Sequence, residues 1–429
     1  MGKSIFIVIL LGMLLLGVPI GLSLLGSTFF YLEISNQQNF LSIVPMNFYK
    51  GMSSFALLAI PMFILAAEIM NASGITRSLV RFSTIFLGRL PGSLAQINIA
   101  SNVLFAALCG SGAASVSAIG GMLIPEMEKA GYRRDFATAV TASSAVIGTI
   151  IPPSIIMIIY GFVMQVPVEA LFAAGIIPGV LFGGALMLYT FIYARRHNLP
   201  TNNEKLTPKE VLSAFKDAFW AVLTPVIILG AIFSGKATPT EAAALAVSYS
   251  LFVGLVITRK LKLKAMFPMA VKAAKTSASL LLIVGGAFVF SWVLSLSQLP
   301  VKISQFLVGS VDNVYLMLLI FNLLMLILGM FVDATATVLV LGPIIVPALI
   351  AMGVDPIHVG VIFCVNLSMG NITPPFGTCL FVGSAVGQVP IERLFRRIIP
   401  FLAVQIGVLM IITYVPIFSL ALPKLLGLL

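Results

Sequence analysis

Gly148-Thr149-Ile150-Ile151-Pro152-Pro153-Ser154 and Gly370-Asn371-Ile372-Thr373-Pro374-Pro375-Phe376-Gly377 lie 222 residues apart, each inside a long apolar run. A Pro-Pro pair removes two backbone donors, and its rings clash with the preceding turn, so a helix must unwind there. Unwound backbone at membrane depth is tolerated only where it is buried in protein or lines a cavity. Both stretches therefore read as breaks inside membrane helices.

The same offset carries much more. Gly120, Pro125, Gly131, Gly148, Pro152, Pro153, Gly161 and Pro178 fall on Gly342, Pro347, Gly353, Gly370, Pro374, Pro375, Gly383 and Pro400. Across that window the chain's own composition gives about 0.6 Gly or Pro coincidences, and eight are present. Gln165-Val166-Pro167-Val168-Glu169-Ala170-Leu171-Phe172 recurs as Gln388-Val389-Pro390-Ile391-Glu392-Arg393-Leu394-Phe395, one residue out of step. The chain is an internal duplication.

Composition sets the solvent. Of 429 residues 60% are hydrophobic and 9% charged, with a mean hydropathy of +1.12. A soluble domain carries roughly 25% charged residues, so a cytoplasmic globular enzyme is excluded. Long apolar runs without strand alternation give an all-α polytopic membrane protein. Spans are expected at 4–32, 53–73, 135–163, 168–194, 219–235, 238–258, 277–297, 355–386 and 398–422. Two further regions, 93–130 and 314–352, read as hairpins folded about a small-residue tip. The organisation that follows is a first span and periplasmic connection (1–52), then a first repeat (53–197) with hairpin 93–130 and broken helix 133–163. A connection with two scaffold spans and interfacial helices (198–275) leads to a second repeat (276–429) with hairpin 314–352 and broken helix 355–386. Residues 206–218 and 262–275 are the expected interfacial helices.

The net charge of +11 raises the question of nucleic acid. With the N-terminus inside, 21 of the 25 Lys and Arg residues fall on the cytoplasmic side and four (Lys50, Lys236, Lys302 and Lys424) outside. That is the positive-inside rule, and it accounts for the charge without nucleic acid. It also orients the duplication. The first Gln-Val-Pro turn lies outside and the second inside, so the halves are inverted about an axis in the membrane plane, an arrangement typical of secondary transporters. Cys109, Cys364 and Cys379 lack disulfide or metal spacing, and His197 and His358 are expected at loop positions without chemistry.

Polar groups gather at two tips, Cys109-Gly110-Ser111-Gly112-Ala113-Ala114-Ser115 and Phe331-Val332-Asp333-Ala334-Thr335-Ala336-Thr337, and at the two breaks. Carbonyl, hydroxyl and carboxylate oxygens are hard ligands suited to an alkali cation, and helix N-termini facing the same space attract an anion. Small residues also allow tight helix packing and prolines also kink, so each motif alone has a plain structural reading. Four of them, placed twice by duplication, favour a site. Asp333 replaces Ser111 of the first half; a charge in an apolar tip is costly unless paired or functional, though it could simply cap the following arm. Glu68, at the end of a span, is expected in an interfacial or helix–helix polar contact, and Glu241 in the first turn of a span.

The Gly-Ser-Gly tip, the Ile-Pro-Pro-Ser and Thr-Pro-Pro-Phe-Gly breaks and the inverted halves resemble the large membrane subunit (M, or DctM) of tripartite ATP-independent periplasmic (TRAP) transporters, over essentially the whole chain. The nearest likeness is to the sialic-acid type, whose motifs the C4-dicarboxylate and other organic-acid members share. The resemblance implies an inverted-repeat, elevator-type transporter of the ion-transporter superfamily in a bacterial cytoplasmic (inner) membrane. It implies coupling of inward Na+ flow, two or more ions, to uptake of an organic anion brought by a periplasmic substrate-binding protein. Because the chain starts at the large subunit's first span, a separate small four-helix membrane subunit is expected. By motif, one sodium would sit among Gly110, Ser111, Ser115, Gly148, Ile151 and Pro153. The other would sit among Asp333, Thr335, Thr337, Gly370, Thr373 and Pro375. Substrate would lie between them, at Ser111, Ser154 and Asp333. Ser154 aligns with Phe376, so the implied pocket is lopsided.

Other classes fare worse. No Gly-x-x-x-x-Gly-Lys-Ser/Thr phosphate loop is present for an ATP-driven pump. An intramembrane protease would need a serine–histidine or paired-aspartate arrangement, which the spans do not supply. An ion or anion channel with inverted repeats is the alternative, separable from a transporter by testing for coupled uphill uptake.

Overall fold

A computed structural model describes residues 5–201, 207–375 and 377–429. Lys3, Lys205 and Phe376, used above in the charge count and the alignment, lie outside the described residues. Among those described the regular elements are all helical, and eight helices are long and apolar enough to cross a bilayer.

Each half carries a hairpin followed by a helix interrupted at its Pro-Pro pair. The first hairpin pairs Ser93–Cys109 with a return arm through Gly112–Ser115 to Gly121–Lys129. The second pairs Val314–Phe331 with Ala334–Ala351. The first broken helix is Arg134–Ala145 and Ile155–Met164, and the second is Pro356–Gly370 and Thr378–Gly387. Both Pro-Pro bonds are cis. The corners repeat in kind. Gly131 and Gly353 both take left-handed backbone, at φ 92° and 88°, and turn each hairpin into its broken helix. The Tyr132 N–H then reaches the Met127 carbonyl (3.0 Å), and the Val354 N–H reaches that of Leu349 (3.1 Å). Gln165 and Gln388 end the second halves, at φ 54° and 50°.

Contacts between distant loops agree with the charge-based sides. Arg81 pairs with Asp217 (2.9 Å), Lys272 with Glu68 (2.8 Å), and the Tyr132 hydroxyl donates to the Pro200 carbonyl (3.0 Å), tying together loops assigned to the cytoplasm. At the other end Thr240 donates to the Phe55 carbonyl (2.9 Å), Tyr160 to Pro356 (3.1 Å) and Tyr414 to Tyr315 (3.2 Å).

Three expectations need correction. The stretch 4–32 is not one unbroken crossing: Ile5–Leu15 and Ile20–Ile34 are separate helices, parted by Gly17 at φ 78° ahead of Pro19, and Met13 packs beside Gly26. The expected interfacial helices 206–218 and 262–275 are not separate elements: residues 208–218 and 263–275 are the polar ends of the continuous helices Pro208–Phe233 and Leu263–Ser297, and Leu206 lies outside the described residues. Hydropathy marks where a helix leaves the hydrocarbon, and the hydrogen-bond ladder continues past that point. At about 1.5 Å per residue the 35-residue helix measures roughly 50 Å, longer than the hydrocarbon is thick, and it must tilt or protrude. Finally, His358 is not in a loop. It is buried in the first turn of Pro356–Gly370, with Nδ1 2.6 Å from the Ser419 hydroxyl and Nε2 3.1 Å from the Thr413 carbonyl. Glu68 and Glu241 behave as expected, the first in its pair with Lys272 and the second in a capping box with Thr238.

Candidate functional site

The first tip and the first break are packed together. Gly110, at φ 61°, presents the position of its missing Cβ to the Pro153 carbonyl oxygen, and only a glycine allows that approach. A Cβ on Gly148 would stand 3.0 Å from the Ser115 hydroxyl and 3.3 Å from the Ser111 carbonyl. Ser111 caps the return arm by accepting the Ala114 N–H (3.4 Å), and its carbonyl receives the Ser115 hydroxyl (3.1 Å). Five of the residues expected around the first sodium (Gly110, Ser111, Ser115, Gly148 and Pro153) thus converge. Ile151 points elsewhere, its side chain packing on Gly179 of the Val168–Arg196 helix. Ser154 is buried and fully engaged: its hydroxyl donates to the Thr149 carbonyl (2.7 Å) and accepts the Met157 N–H (3.4 Å).

The second pair is built differently. Asp333 is exposed and caps Ala334–Ala351, its Oδ1 accepting the Thr335 N–H at 2.9 Å. This is the cap reading weighed above, and it is the role Ser111 fills in the other half. Thr337 donates to the Asp333 carbonyl (3.0 Å) and Thr373 to that of Met369 (2.8 Å). The join between hairpin and break lies one turn below the tip, where Gly370 meets the Gly329 backbone. Asn371 then organises the break, its carbonyl receiving the Cys379 N–H (2.8 Å) and its side chain the Thr378 hydroxyl (3.1 Å).

Sequence reading missed how the halves meet. The Thr149 hydroxyl donates to Ser368 Oγ at 2.7 Å, bonding one break to the helix that leads into the other. Gly112 of the first tip sits against Cys379 of the second broken helix. A second omission is a set of buried amides that tie each hairpin arm to its broken helix. Asn102 donates to Ser144 (2.9 Å) and Asn366 to Asn322 (2.7 Å), each joining a hairpin arm to its broken helix, and Ser144 aligns with Asn366 at the 222 offset. Their signal was available: an amide inside an apolar run is expensive unless it is hydrogen-bonded across helices.

Two inverted hairpin-plus-broken-helix units, joined at their breaks, define a membrane transporter of the inverted-repeat class. Comparison with known proteins names the family. Residues 7–418 match the DctM component of the tripartite ATP-independent periplasmic transporters, and the chain belongs to that family. It is similar to the sialic acid TRAP transporter large permease protein SiaM of Vibrio cholerae, with 38% identity covering 97% of each chain. It is also similar to the 2,3-diketo-L-gulonate large permease YiaN of Escherichia coli (37%, 97% of each) and the C4-dicarboxylate large permease DctM of Pseudomonas aeruginosa (38%, 88% of each). The fold is shared with the Alcanivorax borkumensis YdaH transporter, at a TM-score of 0.65 and 16% identity over 89% of each chain. The chain is therefore a multi-pass inner-membrane permease component serving secondary transport of organic acids, and not an enzyme.

Proposed function

We propose that this chain couples the inward flow of Na+, at two or more sites, to uptake of an organic acid anion, with sialic acid the first candidate and C4-dicarboxylates and other carboxylates next. Transport proceeds by elevator-type alternating access. The permease works with a small four-helix membrane subunit and takes substrate from a periplasmic binding protein. The observation that carries this reading is the convergence of Gly110, Ser111, Ser115, Gly148 and Pro153, where hydroxyl and backbone oxygens of a tip meet an unwound break. Such a set of hard oxygens suits an alkali cation, and by the repeat we assign a second ion to Asp333, Thr335, Thr337, Gly370, Thr373 and Pro375, which the fold arranges differently. The three relatives differ in the substrates in their names at nearly equal identity, so the choice among acids rests on assay.

The test is uptake into proteoliposomes holding both membrane subunits, with the binding protein outside. It is run with and without an inward sodium gradient, for sialic acid, succinate and 2,3-diketogulonate in turn. Uphill accumulation of one acid, abolished when the gradient is collapsed, is the expected result. Flux that is passive and indifferent to sodium would make the protein a channel.

A further inference from the structure

A cavity of about 630 Å³ opens between the two repeats on the side that the charge count assigns to the cytoplasm. The start of Arg134–Ala145 and the start of Ile391–Tyr414 form its walls, and the Gln388-Val389-Pro390 turn its edge. Five arginines line it, with one carboxylate, Asp135. Asp135 is already held from both walls, by Arg133 (2.7 Å) and by Arg397 (3.1 Å). Arg134 is spent on Glu128 (2.6 Å) and on the Gly387 carbonyl (2.6 Å). The guanidinium groups of Arg393 and Arg396 are exposed and have no acidic or hydrogen-bonding partner among the described residues; the nearby acid on their own helix, Glu392, is exposed too.

The positive-inside rule asks only that arginines stand on this face; it does not ask five of them to converge on one cavity. The duplication offers a comparison. The same turn and helix start in the first repeat carry Ala170, Ala173 and Ala174 where the second has Arg393, Arg396 and Arg397, and Asp355 stands where Arg133 stands. The first copy stands on the opposite face and is built without this charge; within the cavity Arg133, Arg134 and Arg397 are tied into structural contacts, and Arg393 and Arg396 are the two whose guanidinium groups are left over.

We propose that this cavity binds a phosphate-bearing anion, presented as the headgroup of an acidic phospholipid of the cytoplasmic leaflet. Guanidinium groups match phosphate oxygens in bidentate fashion, and basic pockets at the cytoplasmic ends of membrane helices hold acidic headgroups. Phe395 and Ile399, exposed on the same helix at four-residue spacing, offer an apolar stripe beside the arginines for the acyl chains. The assignment is independent of what the permease carries.

The experiment uses the delipidated full chain in detergent, native mass spectrometry with added phosphatidylglycerol or phosphatidylcholine, and melting curves with the same lipids. The parent should retain phosphatidylglycerol well above phosphatidylcholine. Arg393→Ala with Arg396→Ala, which installs the first repeat's residues, should weaken that binding roughly thirty-fold, at about 2 kcal/mol for two basic groups. Arg393→Lys with Arg396→Lys keeps both charges and should stay within about tenfold of the parent; a loss as deep as with alanine would overturn the electrostatic assignment. Arg195→Ala with Arg196→Ala, on the same side but outside the cavity, should leave binding unchanged. An equal fall there, or full retention in the double alanine variant, would mean ordinary surface charge and end the proposal. Inorganic phosphate that displaces the lipid supports the shared chemistry. Phosphate that stabilises the parent where phosphatidylglycerol does not would place a soluble anion there and overturn the lipid source.

Discussion

The two Pro-Pro breaks share a motif and differ in depth. Every residue from Gly148 to Ser154 is buried, whereas in the second break Pro374 is half-buried and Pro375 exposed. The tips follow suit, Ser111 half-buried and Asp333 exposed. The cause lies in the helix that follows. In the first repeat Gly175 admits the Ile150 carbonyl and Gly179 admits the Ile151 side chain, so Val168–Arg196 lies directly against the break. In the second repeat those places are held by Arg397 or Ile398 and Phe401 or Leu402, depending on which of the two offsets is followed. Side chains of that size keep a helix from sealing a break so closely. One duplicated pattern thus yields a closed unit and an open one, and two halves of unequal shape are what alternating access by an inverted repeat requires.

The largest effect should come from the glycine that joins hairpin to break in the open unit. A Cβ at Gly370 would meet the Gly329 carbonyl oxygen at 2.5 Å and its Cα at 2.8 Å, backbone atoms that cannot swing away. Gly370→Ala should abolish uptake and lower the melting temperature, with an overpacking cost of about 1–3 kcal/mol. Gly121→Ala, where nothing stands within 4 Å, is the matched control and should transport like the parent. Normal uptake by Gly370→Ala would show that the hairpin–break contact is not needed in this half.

Next comes the tip that differs in charge. Asp333→Ala should remove nearly all uptake while insertion into the membrane persists, because the carboxylate stands open where the substrate site is proposed. As a helix cap alone it would cost about 1 kcal/mol of stability and little transport. Asp333→Asn retains an acceptor for the Thr335 N–H; transport that survives in it assigns hydrogen bonding to the site, and transport lost assigns charge balance. If Asp333→Ala carries substrate normally at matched expression, the open tip is a cap and nothing more.

Much of this was legible because it is written in glycine and proline. Backbone that must turn, unwind or approach another backbone leaves those two residues behind; their recurrence at one offset located both breaks and the duplication, and the charge count supplied the inversion. What escaped is written in side chains that barely move hydropathy. Asn322 and Asn366 are single amides in apolar runs, Asn102 is one of three amides on its helix, and Thr149 and Ser368 are ordinary small hydroxyls until the fold brings them within 2.7 Å. Helix ends escaped for another reason. Lys and Glu suit a helix as well as leucine does, so Leu263–Ser297 runs straight from the polar surface into the apolar span with no local signal of a boundary.

The two proposed sodium sets sharpen the comparison at the level of single oxygens. Ser115→Ala removes a hydroxyl beside Gly148, and Thr337→Ala removes one that bonds the Asp333 carbonyl. Loss of a buried oxygen ligand or hydrogen bond costs about 1–3 kcal/mol, so each should weaken the apparent sodium affinity roughly tenfold, read from uptake against sodium concentration. Equal shifts would mean the closed and open units both hold sodium in the transport cycle. A shift in Ser115→Ala alone confines the ion to the sealed unit, and unchanged curves in both identify these as packing residues.

The smallest expected effect tests whether the two units are mechanically joined. The Thr149 hydroxyl reaches Ser368 at 2.7 Å, and Ser368 donates in turn to the Cys364 carbonyl at 2.7 Å, so the bond between the breaks is the first link of a short chain running into the second repeat. Thr149→Val keeps the shape and deletes the hydroxyl, which also reaches the Val146 carbonyl at 2.8 Å; Ser368→Ala deletes its partner across the breaks, so the coupling and not either single cost isolates the bond between them. Each alone should cost on the order of 1 kcal/mol, and the double mutant should cost less than their sum by about 0.5–1.5 kcal/mol, the worth of one buried hydrogen bond. Melting temperatures of the four proteins give the stability cycle, and sodium-dependence curves on the same four give a functional one. A non-additive stability cycle with additive sodium curves would make the bond a simple staple. Non-additivity in both would mean that occupying one break changes the energy of the other, which is how a closed half could sense the state of an open one. Strict additivity within about 0.3–0.5 kcal/mol in both would leave the two breaks independent despite their contact.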